Sequence, residues 1–229
     1  MEFYVDHWDI KKINEIYDYF PIDGFTTNPN IFSQIDCDPQ KLIMKYIDFA
    51  EKNDVKVFFQ VTAPKAEDMV SQAKKFHSCF NHHLVMKIPA VKEGYKALKY
   101  CKEEGIVTCM TVIHSMPQAL IAAKAGASYV APYVTHIDNT GANSIQMIND
   151  MINAFAAYSY PCKVLGASFR TVNQIEQLAA IGCHAVTITP DMFNLLIAHP
   201  STNESMEKFS NVWNRKFNEA DIDSFLPVS

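Results

Sequence analysis

The sequence predicts an α/β protein whose single domain is a (β/α)8 barrel with an extra C-terminal helix. Eight short apolar runs rich in β-branched and aromatic residues recur along the 229-residue chain, and amphipathic helical patterns lie between them. Their spacing of about 25 to 30 residues fits the strand–helix unit of such a barrel. An open, doubly wound sheet is the alternative, but the chain has only seven glycines and no glycine-rich phosphate turn after its first run.

The predicted strands alternate with the predicted helices in a regular order. The strands are EFYVD (2–6), GFTTN (24–28), KVFFQVT (56–62), LVMKIPA (84–90), VTCMTVI (107–113), YVAPYV (129–134), KVLGASF (163–169) and AVTIT (185–189). The clearest helical patterns are PQKLIMKYIDFAEKN (39–53), AEDMVSQAKKFHSCF (66–80), EGYKALKYCKEEG (93–105) and NQIEQLAAIG (173–182). Because each helix carries the chain back across the sheet, this alternation predicts parallel strands.

No linker, low-complexity tract or long charge run divides the chain, so we expect one domain over residues 1–229. After the eighth strand, residues from about 203 to 218 carry a helical pattern that is capped near Ser201 or Thr202. One side of this helix is apolar and aromatic, with Met206, Phe209, Trp213 and Phe217. Such a stripe predicts that the helix covers either its own barrel or a neighbouring subunit.

The composition argues against several classes of partner. The net charge is −5 with the charges interspersed, and without a basic stripe we expect no nucleic-acid partner. No apolar run approaches the roughly 20 residues of a membrane span, and the first residues, MEFYVDHWDI, lack the pattern of a signal peptide. We therefore expect a cytoplasmic protein that has no membrane contact and whose six cysteines are reduced.

The cysteines and histidines predict no metal site. Neither C-x-x-C nor H-E-x-x-H spacing occurs in the chain. His82 and His83 precede the fourth strand, where we expect a solvated turn. The remaining histidines outside the sixth-strand region are scattered, at His7, His77, His114, His184 and His199.

Lys87 lies inside an apolar run that we expect to be buried. An unpaired ammonium group is rare at such a position, because its removal from water is costly. Alternate residues of a barrel strand face the interior, so if Met86 and Ile88 face the helices, Lys87 faces inward. The same rule sends further polar side chains inward, namely Asp6, Gln60, Thr111, Tyr133 and Ser168. In the second strand, Thr26 and Asn28 share one face and Thr27 takes the other. Most of these residues lie near the C-terminal ends of their strands, where barrel enzymes hold their sites.

This set of residues suits carbon–carbon bond chemistry. Apolar surroundings disfavour the charged form of a lysine side chain. A neutral amine can attack a ketone or aldehyde to give a Schiff base. The resulting iminium accepts electrons when a neighbouring carbon–carbon bond breaks. Asp6 is the inward carboxylate that can take the hydroxyl proton, and Tyr133, Thr111 and Gln60 can hold a water that relays protons.

Four segments, GFTTNPNIF, VMKIPA, AKAGASYVAPYVTHID and VLGASFRT, resemble the transaldolase family, in particular its small-subunit branch, which includes fructose-6-phosphate aldolases. The resemblance implies a (β/α)8 barrel and a class I mechanism without a cofactor. It implies that Lys87 is the Schiff-base lysine, that Asp6 is the catalytic aspartate of the first strand, and that Thr111 helps to hold the catalytic water. It also implies that Asn28 and Ser168 contact the substrate, and we group the neighbouring Thr27 with them.

Two positions separate the branches of the resembled family. True transaldolases tend to have Glu at the position of Gln60 and Phe at that of Tyr133, whereas the aldolase branch has Gln and Tyr, as here. The resemblance therefore implies cleavage of fructose 6-phosphate to dihydroxyacetone and glyceraldehyde 3-phosphate, or the reverse addition. Two alternatives stay open: a transaldolase that passes a dihydroxyacetone unit between sugar phosphates, and a barrel that binds a sugar phosphate without turnover.

One position departs from the resembled pattern. The family usually places an arginine for the substrate phosphate where THID has His136. A histidine is often neutral at pH 7 and cannot form the two-pronged contact of a guanidinium, although Arg170 can supply the missing charge. The change predicts either a weaker phosphate site and a preference for unphosphorylated donors, or a local variation without effect.

The resemblance also implies the partners of the chain. Small members of the family assemble as pentamers or decamers in which the terminal helix reaches a neighbouring subunit. We therefore expect a homo-oligomer that acts on a small sugar or sugar phosphate, and the aromatic stripe that ends near Phe217 suits such a contact.

Overall fold

Eight parallel strands form a closed barrel in the computed structural model, which describes residues 1–227. The strands are β1 (Glu2–Asp6), β2 (Gly24–Thr26), β3 (Lys56–Gln60), β4 (Leu84–Pro89), β5 (Thr108–Ile113), β6 (Tyr129–Pro132), β7 (Lys163–Gly166) and β8 (Ala185–Ile188). Each strand pairs with the next along the chain, and β8 pairs with β1. The predicted (β/α)8 barrel is confirmed, and all eight strands lie within their predicted ranges.

Helices follow the strands around the barrel. They are α1 (Ile10–Tyr19), α2 (Pro29–Phe32), α3 (Pro39–Asn53), α4 (Ala66–Phe80), α5 (Lys92–Glu103), α6 (Met116–Ala125), α7 (Val134–Asn139), α8 (Ser144–Ala157), α9 (Val172–Ala180), α10 (Pro190–Ile197) and α11 (Pro200–Phe217), with short 3-10 helices at Asn81–His83 and Ile222–Phe225. Local sequence sets their starts: Asp38 accepts from the backbone N–H groups of Gln40 and Lys41, and Ser115 and Thr171 open capping boxes. Among the described residues, no helix combines the length and apolar character needed to cross a membrane.

Side chains that alternate along the strands fill the barrel. The buried cluster at its centre comprises Tyr4, Phe58, Val85, Cys109, Tyr129, Ala131, Leu165 and Ala185. This is the predicted inward face of β1 and β3 to β6. For β7 the prediction was wrong, since Leu165 points inward and a Cβ on Gly166 would meet Leu178 of the helix layer. The sequence offered little signal in β7, because apolar residues occupy both of its faces.

Two compact units are distinguished in the chain, Met1–Phe193 and a C-terminal unit that begins at Asn194. The first unit contains the whole barrel. In the second, α11 begins at Pro200 after a cap from His199, two to three residues before the predicted cap. The rings of Trp213, Phe217 and Phe225 pack together with centroids 4.6 to 5.9 Å apart. One domain over 1–229 stays a prediction, and residues 228 and 229 lie outside the described residues.

Candidate active site

A cavity of about 800 Å³ opens at the C-terminal ends of the barrel strands. Eight of the side chains proposed from the sequence line it, namely Asp6, Asn28, Gln60, Lys87, Tyr133, His136, Ser168 and Arg170. The cavity also touches residues that the sequence did not single out, among them Trp8, Asn30, Phe169 and Met192. Because parallel strands bring their carboxyl ends to one rim, residues far apart in sequence converge here.

Lys87 lies in the middle of β4 with only 5% of its surface exposed. Its Nζ donates a hydrogen bond to the backbone carbonyl of Thr27 at 2.8 Å. On the neighbouring strands it is paired in register with Gln60 and Cys109. Burial raises the pKa of the Cys109 thiol to about 12, with the charge of Lys87 partly opposing this, so the thiol beside the amine stays protonated. Of these two neighbours, Lys87 lines the cavity and Cys109 does not.

Asp6 ends β1 in the cavity wall and is held by Thr26, which is itself bonded to a second threonine. The Thr26 hydroxyl donates to Asp6 Oδ1 at 2.6 Å, and the same hydroxyl lies 2.6 Å from Thr187 Oγ1. Burial raises the pKa of the Asp6 carboxyl, while the charge of Lys87 and the Thr26 hydrogen bond partly counter that rise. A carboxylate with a raised pKa accepts a proton more readily near neutral pH.

Sequence reasoning missed Thr26 as the partner of Asp6, and Thr187 as the partner of Thr26. One signal existed for Thr26, because it follows the same strand face as Asn28. Thr187 lies in β8, where both faces carry small or apolar residues, so its hydroxyl had no sequence context that pointed to Thr26. The contact arises because β1 lies between β2 and β8 in the closed barrel.

Two of the predicted site residues lie behind the cavity wall. Thr111 is fully buried in β5, and its hydroxyl oxygen is 3.4 Å from that of Tyr133, a cavity residue that follows β6. Thr27 is also buried, and its hydroxyl donates to the carbonyl of Phe58 at 3.1 Å. Thr27 therefore meets Lys87 through its backbone and not through its side chain.

The outer rim of the cavity is polar. Asn28 caps α2 by accepting from the backbone N–H of Ile31 at 2.9 Å, which fixes its side chain at the rim. Ser168 follows the end of β7 with φ +63°, a left-handed conformation that is uncommon for a serine. This backbone reversal explains why Ser168 reaches the cavity although the predicted alternation of β7 was wrong. Arg170 and His136 are exposed at the same rim.

One group of metal-binding residue types lies at the other end of the barrel. Ligand atoms of Asp54, His82 and His83 lie within 4.8 Å of one another, just before β3 and β4. The expectation of a solvated turn was wrong for His83, which is 7% exposed and places Nδ1 3.1 Å from the carbonyl of Val55. That nitrogen, 3.9 Å from Asp54 Oδ1, must carry a proton to bind the carbonyl and is then unable to bind a metal. The absence of a metal stays a prediction.

Comparison with known proteins assigns the chain to a family. The family model described as Transaldolase/Fructose-6-phosphate aldolase matches residues 3–225. The chain belongs to this transaldolase/fructose-6-phosphate aldolase family. Membership indicates an enzyme of the aldolase or transferase type, and it confirms the resemblance drawn from the sequence motifs.

Relatives across bacteria support the family assignment. A probable transaldolase of Streptococcus equi subsp. zooepidemicus is 32% identical over 93% of this chain and 98% of its own length. A probable transaldolase of Shouchella clausii is 33% identical over 94% of this chain and 98% of its own length. One from Bacteroides thetaiotaomicron is 32% identical over 91% of this chain and 96% of its own length.

Solved structures with similar folds are more distant from this member of the family. A flavocytochrome b2 mutant with pyruvate bound superposes with a TM-score of 0.58 at 10% identity, over 83% of this chain and 57% of the other. A mandelate oxidase mutant with a monooxide FMN adduct gives a TM-score of 0.50 at 14% identity, over 76% and 57%. The chain spans little more than half the length of these structures, and the likeness supports the barrel fold alone.

Proposed function

We propose that the protein is a class I aldolase of the transaldolase/fructose-6-phosphate aldolase family that forms a Schiff base through Lys87. The observation that carries the proposal is the burial of this one amine, 5% exposed, in the wall of a cavity that also holds the carboxylate of Asp6. The contact with the Thr27 carbonyl uses one N–H of the Lys87 amine. A neutral amine can donate this hydrogen bond and still has a lone pair that can attack a carbonyl carbon.

The proposed reaction proceeds in three stages. Lys87 Nζ attacks the ketone carbon, and loss of water gives an iminium. Asp6 takes the proton of the hydroxyl on the carbon two positions from the iminium carbon. The bond from that hydroxyl carbon to the carbon next to the iminium breaks, its electron pair moves toward the iminium nitrogen to give an enamine, and the hydroxyl carbon leaves as a free aldehyde. A proton then returns to the enamine carbon and water hydrolyses the iminium, which restores the amine of Lys87. Tyr133, with Thr111 behind it and Gln60 beside Lys87, is the proposed holder of that proton and water.

The substrate that we propose is fructose 6-phosphate, cleaved to dihydroxyacetone and glyceraldehyde 3-phosphate, with aldol addition as the reverse. Support comes from Gln60 and Tyr133, the residue types of the resembled aldolase branch, both at the cavity. Asn28 and Ser168 are the proposed contacts to the sugar, and His136 and Arg170 the proposed contacts to its phosphate. No cofactor enters the proposed reaction, because the iminium itself accepts the electrons.

Trapping of the Schiff base tests the role of Lys87. Borohydride reduction in the presence of fructose 6-phosphate or dihydroxyacetone should leave an adduct on the Lys87 peptide in mass spectrometry. Lys87→Met should lose the adduct and reduce kcat by about 10³-fold or more, because no other nucleophile replaces the amine. Lys92→Met, which removes an exposed lysine of α5, should keep both. A wild-type protein without adduct would leave the non-catalytic sugar-phosphate-binding barrel as the better reading.

A transaldolase is the second candidate, because the bacterial relatives described above carry the name probable transaldolase. Release of glyceraldehyde 3-phosphate from fructose 6-phosphate without an acceptor supports the aldolase, and strict dependence on an acceptor aldehyde such as erythrose 4-phosphate supports the transaldolase. We expect Tyr133→Phe to lower aldolase activity relative to transaldolase activity by about a hundredfold, the lower end of the contribution of one proton-transfer group. Tyr158→Phe, which removes the hydroxyl of a tyrosine that is 64% exposed, is the matched control, and an unchanged ratio in Tyr133→Phe would contradict the use of this position.

We also propose a homo-oligomer, a pentamer or decamer, that works in the cytoplasm. Large apolar side chains of α11 are exposed, at 58% for Met206, 63% for Phe209 and 60% for Val212, and a second copy would cover them. All six cysteines are free, as suits a reducing compartment. Native mass spectrometry of the wild type and of Phe209→Glu measures the subunit number, and a monomeric wild type would refute the proposal.

A further inference from the structure

Two imidazole rings lie parallel, and one of them, that of His136, lines the cavity. His114 follows β5 and His136 lies in α7, and their ring planes differ by 5° with centroids 5.9 Å apart. The ring of Tyr133 meets both of them edge to face, at 5.6 Å from His114 and 5.3 Å from His136. We call these three rings the imidazole cluster. Sequence reasoning considered His136 alone, because only the fold brings His114 to it.

The backbone before His114 is strained in a way that fixes its imidazole. Val112 has φ +62°, a conformation that is costly for a β-branched residue, and it lies where the pairing of β5 with β6 changes register. Its carbonyl is 3.1 Å from His114 Nδ1. A carbonyl only accepts, so Nδ1 carries the hydrogen and Nε2 is the atom that gains or loses a proton. The backbone N–H of His114 is also held, by Gln118 Oε1 at 2.9 Å.

The charges around the cluster favour an anion. Arg170 lies at the same rim as His136, on the loop after β7. The nearest carboxylate of α7, Asp138, is engaged by the side chain of Gln174 at 2.9 Å and by the backbone N–H of Ser144 at 3.1 Å. Deeper in the cavity are the other titratable groups that face it, Asp6, His7 and Lys87.

Two positively charged rings about 6 Å apart repel each other. A dianion placed between His136 and Arg170 offsets this repulsion, because it attracts both imidazolium charges and accepts their N–H groups. Histidine is also the side chain whose charge changes between about pH 5 and 8. Anion binding and proton uptake are therefore linked at this rim, which an arginine in place of His136 would not achieve.

We propose that His114 and His136 form a proton-dependent recognition element for the phosphate group of the substrate. His136 contacts the anion together with Arg170, and His114 is a positioning residue that acts through His136 and Tyr133. The protein then selects phosphorylated over unphosphorylated substrates more strongly at pH 6 than at pH 8. The identity of the anion as a sugar phosphate rests on the proposed function, whereas the linkage of an anion to protons does not.

Inorganic sulfate tests the linkage without turnover, because sulfate stays dianionic from pH 6 to pH 8. Isothermal titration of the full chain at constant ionic strength should show a Kd at least about tenfold lower at pH 6 than at pH 8, as one bound proton requires. Titrations in two buffers that differ in ionisation enthalpy should show uptake of a proton with each sulfate. A Kd that does not change with pH overturns the proposal.

Substitutions of single histidines test whether His114 and His136 bind the protons that are taken up with sulfate. His136→Gln should abolish the pH dependence of sulfate binding. His114→Phe keeps an aromatic ring against Tyr133 and should retain only about a threefold change in Kd, since one of the two charges is gone. His82→Gln, an exposed histidine at the other end of the barrel, is the matched control and should behave as wild type. A wild-type pH dependence in His114→Phe, or in His114→Gln if the first variant does not fold, overturns the role of His114.

Steady-state kinetics then separate this inference from the proposed function. The KM for fructose 6-phosphate should rise from pH 6.5 to pH 8 in the wild type more than in His114→Phe, with the KM for dihydroxyacetone unaffected by the substitution. Loss of the Lys87 adduct with pH-dependent sulfate binding intact would refute the aldolase alone. An adduct together with pH-independent sulfate binding would refute the imidazole pair alone.

Discussion

At the scale of single residues, burial, the charge of Lys87 and one hydroxyl group together act on the acidity of Asp6. Burial raises the pKa of this carboxyl, and the hydrogen bond from Thr26 at 2.6 Å is one of the contacts that hold the rise in check. Thr26 is itself fully buried and bonded to Thr187, so its hydroxyl is fixed and cannot be replaced by water without cost. The local environment thus sets the protonation of the proposed general base.

Removal of the Thr26 hydroxyl should therefore move the acidic limb of the pH profile. Thr26→Val removes a donor that favours the carboxylate, so the pKa of Asp6 should rise and kcat/KM should begin to fall at a higher pH. At pH 6 we expect kcat/KM about tenfold below wild type, in line with a hydrogen bond to a charged group of ~1.5–3 kcal/mol. Thr26→Ser keeps the hydroxyl and should keep the wild-type profile. Superimposable profiles for the valine variant and wild type would show that Thr26 does not control Asp6.

At the scale of elements, the approach of β2 to β3 depends on Gly24. This residue has φ +145°, and a Cβ in its place would lie 1.9 Å from the carbonyl oxygen of Lys56. The backbone of β3 cannot give way there, because Gly24 and Lys56 are paired in register within the closed barrel. Gly24 is therefore required for two reasons: a side chain would collide with the backbone of β3, and its positive φ disfavours other residues.

We expect Gly24→Ala to lower the free energy of unfolding by about 3 kcal/mol or more, as other forced backbone displacements do. Gly182→Ala is the matched control: its φ is +77°, yet nothing lies within 4 Å of an added Cβ, so only the conformational cost of about 1 kcal/mol applies. Urea denaturation of both variants measures the difference. Equal losses in the two variants would mean that the close approach of β2 and β3 is not what constrains Gly24.

At the scale of the whole barrel, a polar network ties its N-terminal end together. Glu2 of β1 accepts hydrogen bonds from Tyr4 at 2.9 Å, from Tyr129 of β6 at 3.0 Å and from Lys163 of β7 at 2.5 Å. Lys56 of β3 donates to the Tyr129 hydroxyl at 2.9 Å. The network thus links four strands that are distant in sequence, and it places charges at the end opposite the cavity.

The network makes stability depend on pH. Burial acts to raise the pKa of Glu2, but the hydrogen bond from Lys163, with those from Tyr4 and Tyr129 and the charge of Lys56, holds it below its usual value. A depressed pKa in the folded state stabilises the protein above the unfolded pKa, and this contribution is lost as the pH falls through the folded pKa. We expect Glu2→Gln to cost about 1–2 kcal/mol at pH 7 and much less at pH 3.

Thermal unfolding of Glu2→Gln and wild type across pH 3 to 7 measures this dependence. The matched control is Glu67→Gln, whose carboxylate pairs with Lys96 on the exposed helix surface and should change stability little at any pH. A stability difference between Glu2→Gln and wild type that stays constant over this pH range would contradict the assignment to ionisation of Glu2.

The amino-acid sequence by itself determined the architecture and the main chemical groups of the candidate site. Alternation of apolar runs with amphipathic segments predicted the eight strands. A parallel strand that is buried on both faces has a continuous apolar sequence, whereas a helix that is buried on one face repeats its apolar residues every three to four positions. Alternation of side-chain direction along the strands predicted that Lys87 and Asp6 point inward, and both line the cavity. These inferences succeeded because side-chain direction within a regular strand is a local property.

Only the tertiary structure decided the contacts between groups that no local rule relates. The Thr26–Thr187 contact requires the closure of β8 on β1, and the pairing of His114 with His136 requires a strained bulge in β5 beside the start of α7. Alternation was wrong in β7, and a left-handed residue at Ser168 returned that side chain to the cavity. Barrel closure, strand register and backbone reversals are set by the packing of the whole barrel, so they cannot be predicted from the sequence of one strand at a time.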